Sequence, residues 1–371
     1  MSISHKLLFV GDVVLHSKPQ FSTEIQQLFR ASIMRCCNVE APLQGAGKSV
    51  DKTGPLVYQA ARAAEWLQEL GFNLFALANN HIHDYGDEGL LATRNSFPLD
   101  SIVGAGREED AYGMCAKTID GIKYGFVAYG ENGYGALNGD RNVGYAWVNH
   151  PRVDRDIARF KAQVDVLIVQ VHAGVEMLDV PLPEWRKRFY EIMDQGADIL
   201  IAHHPHVLQG IELYKDKPIC YSLGNFYFEY PSDHPQWNIG GLLEIELKDA
   251  KFHHCNLHVV EKKDVSVVLW DKERANTLLE RLNDKLSGST YEQYVDREAV
   301  TLWKKHHAQY YAKAVNGMVD YSFKGILKSI KRMVSSRKVD YNMMWHNLCI
   351  ESNLWLVKRA IHRLKKGHDT P

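Results

Sequence analysis

The sequence predicts an α/β layered domain followed by an all-helical basic region. Three observations carry that prediction. Up to about residue 230, short β-rich runs alternate with helical patterns, as in strands layered with helices. Residues 219–269 are strand-only in pattern, and amphipathic helical periodicity takes over after Trp270. The 371 residues suffice for two domains or one large one. We place the boundary at about 270, giving domains 1–269 and 270–371.

The strand candidates in the first part are 6–10, 32–37, 74–77, 123–129, 166–171 and 199–202. Each is a short apolar or β-branched run. Helical periodicity lies between them at 59–70, 89–97, 153–161 and 183–195. Four later runs, 219–223, 241–247, 256–260 and 266–269, read as antiparallel strands completing a second sheet. The C-terminal helices are expected at 271–286, 291–314, 322–335 and 341–366, with a Ser-Gly-Ser break at 287–289.

The composition, 45% hydrophobic and 24% charged, excludes a disordered or collagen-like chain. No apolar run approaches the ~18–20 residues of a membrane-spanning helix. The first residues lack the features of a secretory signal, so the expected location is cytoplasmic. The six cysteines are scattered, which reads as reduced thiols rather than a disulfide framework or a zinc site. The net charge of −1 hides an asymmetry: residues 1–300 carry −11 and residues 301–371 carry +10. Such a split suggests different partners for the two parts.

Five polar clusters sit at the ends of strand candidates, where open α/β sheets place their sites. Asp12 follows Gly11; alone it reads first as a helix cap and second as a metal ligand. Glu40, in Asn38-Val39-Glu40, is alone a generic loop acid. Asn79, Asn80, His81 and Asp84 form a dense group that suits either a turn or a site. His172 precedes Glu176, and a lone strand-end His is commonly structural. His203-His204-Pro205-His206 is the strongest signal, three imidazoles in four residues. Together these donors suit pairs of Mn, Fe or Zn ions, which at ~3.5–4 Å separation activate water and clamp phosphate oxygens. Phosphate-loop, zinc-protease and serine-nucleophile motifs are missing.

In order and spacing, these clusters resemble the CapA family, named for poly-gamma-glutamate capsule biosynthesis, within the calcineurin-like metallophosphoesterase superfamily. The resemblance runs from Phe9-Val10-Gly11-Asp12 through Ala78-Asn79-Asn80-His81 and His204-Pro205-His206-Val207 to Ser222-Leu223-Gly224-Asn225, over about residues 6–230. It implies a four-layer α/β/β/α sandwich of the metallophosphoesterase type, leaving the all-helical C-terminal appendage uncovered. It further implies two divalent ions, with Asp12, Glu40, Asn80, His172, His204 and His206 as ligands and Glu40 bridging. His81 becomes the leaving-group acid or a transition-state contact, oriented by Asp84. Asn79, Glu176 and Asn225 are placed at the substrate. The implied activity is metal-dependent hydrolysis of a phosphate ester or related bond in an anionic small molecule or polymer. The alternative is an accessory role in making, releasing or exporting an anionic capsule polymer.

Several positions depart from the family pattern. Val14 stands where the superfamily's D-x-H has its His, and His16 lies two residues further on. Glu40 replaces the usual bridging Asp, Ala173 the usual Trp and Ala202 the usual Gly. Tyr129, Tyr134 and Tyr145, around a Gly-rich stretch, read equally as a substrate groove or as packing.

In the tail, Phe323, Ile326, Leu327 and Ile330 share one helical face, with Lys324, Lys328, Lys331 and Arg332 elsewhere. A second stripe is formed by Trp345, Leu348, Leu354, Ile361 and Leu364. The leading expectation is that these faces pack on the catalytic domain. Peripheral contact with an anionic membrane through residues 322–366 is the next, then docking of an anionic polymer. No nucleic-acid partner is expected.

Overall fold

The computed structural model describes residues 3–315, 322–334 and 339–367. The chain divides into two compact units, residues 1–50 with 56–288, and residues 51–55 with 289–371.

The first unit is built on two facing sheets. The larger runs in the order Gln20–Phe21, Ser266–Leu269, Lys251–Lys263, Ile239–Lys248, Ser4–Val14, Met34–Val39, Leu74–Ala76, Ile102–Val103. Asn225–Phe228 pairs in parallel with the end of Ser4–Val14. The smaller runs Ile211–Tyr214, Lys217–Cys220, Ile199–His203, Val166–His172, Ile122–Gly130, Cys115–Ile119.

Alternation along the strands assigns their faces. Phe126, Ile168 and Ile201 join Leu7, Phe9 and Phe75 in one core between the sheets. The intervening Leu167, Val169 and Leu200 are buried but lie outside that core. Helices Val153–Lys161 and Pro183–Asp194 pack on the strands that carry them. On the larger sheet, Thr23–Ala31 and Ala63–Glu69 bury Ile25, Phe29, Ala63, Ala64 and Leu67. The result is the expected four-layer sandwich. Burial of the central strands on both faces explains why they read as continuous apolar runs.

The antiparallel strands differ from expectation. Ile239–Lys248, Lys251–Lys263 and Ser266–Leu269 extend the larger sheet, beside Ser4–Val14, and do not build the second one. Strand Lys217–Cys220 alone among those four joins the smaller sheet, parallel to Ile199–His203. The reason is pairing: Ser4–Val14 meets Ile239–Lys248 from Ser4↔Lys248 to Val10↔Leu242.

Helix Lys272–Ser287 lies beyond the expected boundary at 270 yet sits in the first unit. Asp271 caps it, accepting from the Arg274 N–H at 2.9 Å. Its Ala275, Leu278 and Leu282 complete the core between the sheets.

Described residues of the second unit that lie in regular structure are helical. Tyr291–Leu302 continues through a π turn at Trp303–His307 into Ala308–Ala314. Helix Phe323–Val334 follows; residues 335–338 of the expected basic stretch lie outside the described residues. The single helix expected over 341–366 is two, Tyr341–Cys349 and Glu351–Lys365, because Ile350 is extended at φ −75°, ψ 118°. The break changes which face is buried. Leu356, Val357 and Ala360 are interior, while Leu348 and Ile361 of the expected stripe are exposed. Arg359 on the last helix pairs with Asp296 at 3.0 Å.

Candidate metal centre

Sheet register assembles the site. At the end of the larger sheet, Asp12 aligns with Asn38 on one side and Asn225 on the other. In the smaller sheet, His172 aligns with His203 and Gly130. Residues just past these positions, Glu40, Glu131 and His204, converge from both sheets.

Asp12 lies inside Ser4–Val14, where no helix begins, so the cap reading fails. Its Oδ1 accepts from Asn38 Nδ2 at 2.8 Å, and its Oδ2 lies 3.3 Å from the His204 N–H. His203 Nδ1 and His206 Nδ1 stand 3.3 and 3.4 Å from its two oxygens. Gly11 allows this approach. A Cβ there would meet Gly224 O at 2.1 Å and Leu223 O at 2.6 Å. Both are backbone atoms, so Gly11→Ala is expected to cost about 1–3 kcal/mol, read by urea unfolding.

Glu40 is fully buried, and neither carboxylate oxygen has a hydrogen-bond partner. His172 Nε2 and His206 Nε2 lie 3.5 and 3.6 Å from its Oε1. His206 Nδ1 is 2.9 Å from Asn225 Oδ1. The contact to Asn225 turns Nε2 of the ring toward the Glu40 carboxyl, and this outer hydrogen bond fixes the ring as it would for a metal-binding imidazole.

His172 Nε2 is 3.0 Å from both Asn80 Oδ1 and His204 Nδ1. Two donor sets have atoms within 4.8 Å of one another: Glu40, His204, His206, and Asp12, Glu40, His172. Glu40 is common to both. The histidine loop is backbone-strained, with φ of 96° at His204 and 57° at His206. Non-glycine residues held there cost about 1–3 kcal/mol each, and such strain clusters at functional sites.

The electrostatics of the protein groups at this site are mismatched. Burial, then the Asp12 charge, pushes the Glu40 carboxyl well above its ordinary value. Burial also raises the Asp12 carboxyl, but contacts with His203 and His206 outweigh it and hold Asp12 well below. Burial and the neighbouring His204 hold His172 down, and burial brings His204 to about 4. His206 is the exception: burial lowers it, but Asp12, Glu176 and Asn225 outweigh that and raise it. The neutral imidazoles of His172 and His204 beside carboxylates suit a borderline divalent cation.

The remaining expected residues occupy distinct places. His81 Nδ1 is 2.7 Å from Asp84 Oδ2, which also accepts the Val57 N–H at 2.8 Å. Asn79 is buried and donates to the Val39 carbonyl at 2.8 Å. Asn225 orients His206 and donates to the Trp237 carbonyl at 2.9 Å. Glu176 is exposed, with its charge felt at His204 and His206. His16 bonds the Tyr58 carbonyl at 2.9 Å and belongs to neither donor set. Val14 joins an apolar wall with Ala41, Val57, Phe228 and Trp237; the last two rings pack on His206. Tyr129 and Tyr145 are interior, which favours packing.

Three neighbours went unassigned from sequence. Asn38 ties Asp12 to His172, with Nδ2 3.1 Å from His172 Nδ1. Glu131 Oε1 is 3.4 Å from His204 Nε2. His203 is buried beside Asp12 with neither ring nitrogen hydrogen-bonded. Glu131 directly follows Ile122–Gly130, so the strand-end rule applied elsewhere marks it too.

A family model described as bacterial capsule synthesis protein PGA_cap matches residues 6–230. The chain belongs to that family. Its relatives include the PGA biosynthesis protein CapA of Bacillus subtilis (strain 168), 32% identical over 60% of this chain and 62% of that one. The capsule biosynthesis protein CapA of Bacillus anthracis is 32% identical over 44% of this chain and 42% of that protein. This PGA_cap chain thus spans less than two thirds of those relatives. Among solved structures, a putative 5'-nucleotidase from Staphylococcus aureus aligns at 14% identity and TM-score 0.47, covering 76% of this chain and 58% of that one. In the PGA_cap chain every residue of both donor sets lies inside the matched segment.

Proposed function

We propose that this PGA_cap protein is a metal-dependent hydrolase acting on a phosphate ester or related bond in capsule or polymer metabolism. The observation that carries the reading is Glu40, buried, without hydrogen bonds and shared by two donor sets. Asp12, Glu40, Asn80, His172, His204 and His206 would hold two divalent ions, Mn, Fe or Zn. Such ions supply Lewis acidity toward the scissile group and toward an attacking water. The chain's own residues do the rest. Asn38 and Asn225 fix Asp12 and His206, and Glu131 sets His204. His81, held by Asp84, delivers a proton to the departing oxygen. The apolar wall of Val14, Val57 and Trp237 excludes water behind His206.

The test is metal content with a substrate screen. Wild type is expected to retain divalent metal and release phosphate from esters. Asn80→Ala and His206→Ala are expected to lose metal and at least about 100-fold of the activity. Full activity in both variants, or a metal-free active wild type, sinks the reading.

The second reading is an accessory role in synthesis, release or export of an anionic polymer, through amide-bond cleavage or none. The capsule biosynthesis names of the Bacillus relatives favour it. Release of glutamate or sugar rather than phosphate, from one metal-replete preparation, selects it.

A further inference from the structure

We propose that helix Phe323–Val334 is a docking surface for an anionic lipid bilayer. The helix buries its small residues and displays its large ones. Gly325 and Ser329, four apart and on one face, are buried. Phe323, Ile326, Leu327 and Ile330 follow the i, i+3, i+4, i+7 spacing of one apolar stripe. Their exposures are 78%, 37%, 50% and 50%. Such a stripe on one short helix is a contiguous apolar surface, and contiguous surfaces of this kind mark interaction sites.

The flanking charge selects the occupant. At 100° per residue, Lys324, Lys328 and Lys331 form a second stripe beside the apolar one, and all three are exposed. No acidic residue occurs between 322 and 334. A second copy of this chain seated on the stripe would bring two lysine rows together, and like charges repel. A soluble polyanion would pair with the lysines and leave the apolar stripe in water. An anionic bilayer satisfies both: acyl chains receive the apolar side chains, and headgroup phosphates receive the ammonium groups. Exposed Lys358, Lys365 and Lys366 add to the excess positive charge of this unit. This proposal does not depend on the chemistry of the metal centre.

The experiment is vesicle co-sedimentation of the full chain. Phosphatidylcholine vesicles are compared with vesicles containing one quarter phosphatidylglycerol. Binding to the anionic vesicles is expected to be at least about tenfold tighter and to weaken at high salt. Phe323→Ser/Leu327→Ser and Lys324→Glu/Lys328→Glu are each expected to lower it by about tenfold or more. Both pairs are exposed, so the thermal midpoint and metal content should stay at wild-type values. Absent vesicle binding, or equal binding to neutral vesicles, overturns the proposal. So does binding that depends on the lysine pair alone and is competed by soluble polyglutamate. A dimer dissociated by Phe323→Ser/Leu327→Ser, with vesicle binding unchanged, also overturns it.

Discussion

Glu40→Gln is expected to abolish metal-dependent stabilisation while leaving the metal-free protein as stable as wild type. Both Glu40 oxygens are buried without a hydrogen bond from the protein. An unsatisfied buried acceptor costs about 1–3 kcal/mol. Gln keeps the shape, removes the ionisable group and offers both an amide N–H and an amide oxygen to His206 Nε2, now 3.6 Å from Oε1. Unfolding without metal should therefore change by less than about 1 kcal/mol. With metal the outcome reverses. A cation present at about a thousand times its dissociation constant stabilises the native state by about 4 kcal/mol. That is roughly 8 °C in the thermal midpoint, at about 2 °C per kcal/mol for a domain of this size. Because Glu40 belongs to both donor sets, one substitution removes a ligand from each. Thermal scans with Mn²⁺ and with a chelator, beside elemental analysis, check it. A metal-induced shift that persists in Glu40→Gln means the ions bind elsewhere.

How the site was legible in the sequence follows from how it is built. Strands buried on both faces leave short apolar runs, and polar residues just past such runs stand out. Asp12, Glu40, His172 and His204 were marked that way, and the family resemblance supplied their roles. Asn38 and Glu131 also stand at the ends of expected runs, but their roles depend on partners across the fold, His172 for Asn38 and His204 for Glu131, which no local pattern reveals. The sheet joined by Ile239–Lys248 was not legible, because its partner Ser4–Val14 lies more than 200 residues away. Pairing choice is non-local, whereas periodicity is local. Local chemistry was also missed: Asp120 and Gly121, at φ 49° and 82°, join Cys115–Ile119 to Ile122–Gly130. Asp-Gly between apolar runs is a two-residue hairpin signal. The break at Ile350 has no Pro or Gly beside it, so only the packing of the two helices reveals it. The exposed stripe on Phe323–Val334 is the reverse case. Its amphipathicity was plain, but burial of Gly325 and Ser329 decides which way it faces.

His81→Ala is expected to lower turnover by about 10²–10⁴-fold, the range for a positioned general acid, without loss of metal. The geometry separates the two effects. His81 is outside both donor sets. Its Nδ1 is engaged by Asp84 Oδ2 at 2.7 Å, and Asp84 is itself pinned by the Val57 N–H. That arrangement fixes the Nδ1–H tautomer, so Nε2 is the nitrogen left to carry and release a proton. Neighbouring Asn80 places its Oδ1 3.0 Å from His172 Nε2, which anchors this loop at the donor cluster. Asp84→Asn should give a smaller loss than His81→Ala, because the Val57 contact survives while the charge that supports a protonated ring is gone. The leaving group supplies the decisive comparison. An aryl phosphate departs without a proton, whereas an alkyl phosphate requires one. The His81→Ala deficit should therefore be large for alkyl esters and small for aryl esters. An equal deficit on both, accompanied by lower metal content, would instead assign His81 to holding the site together.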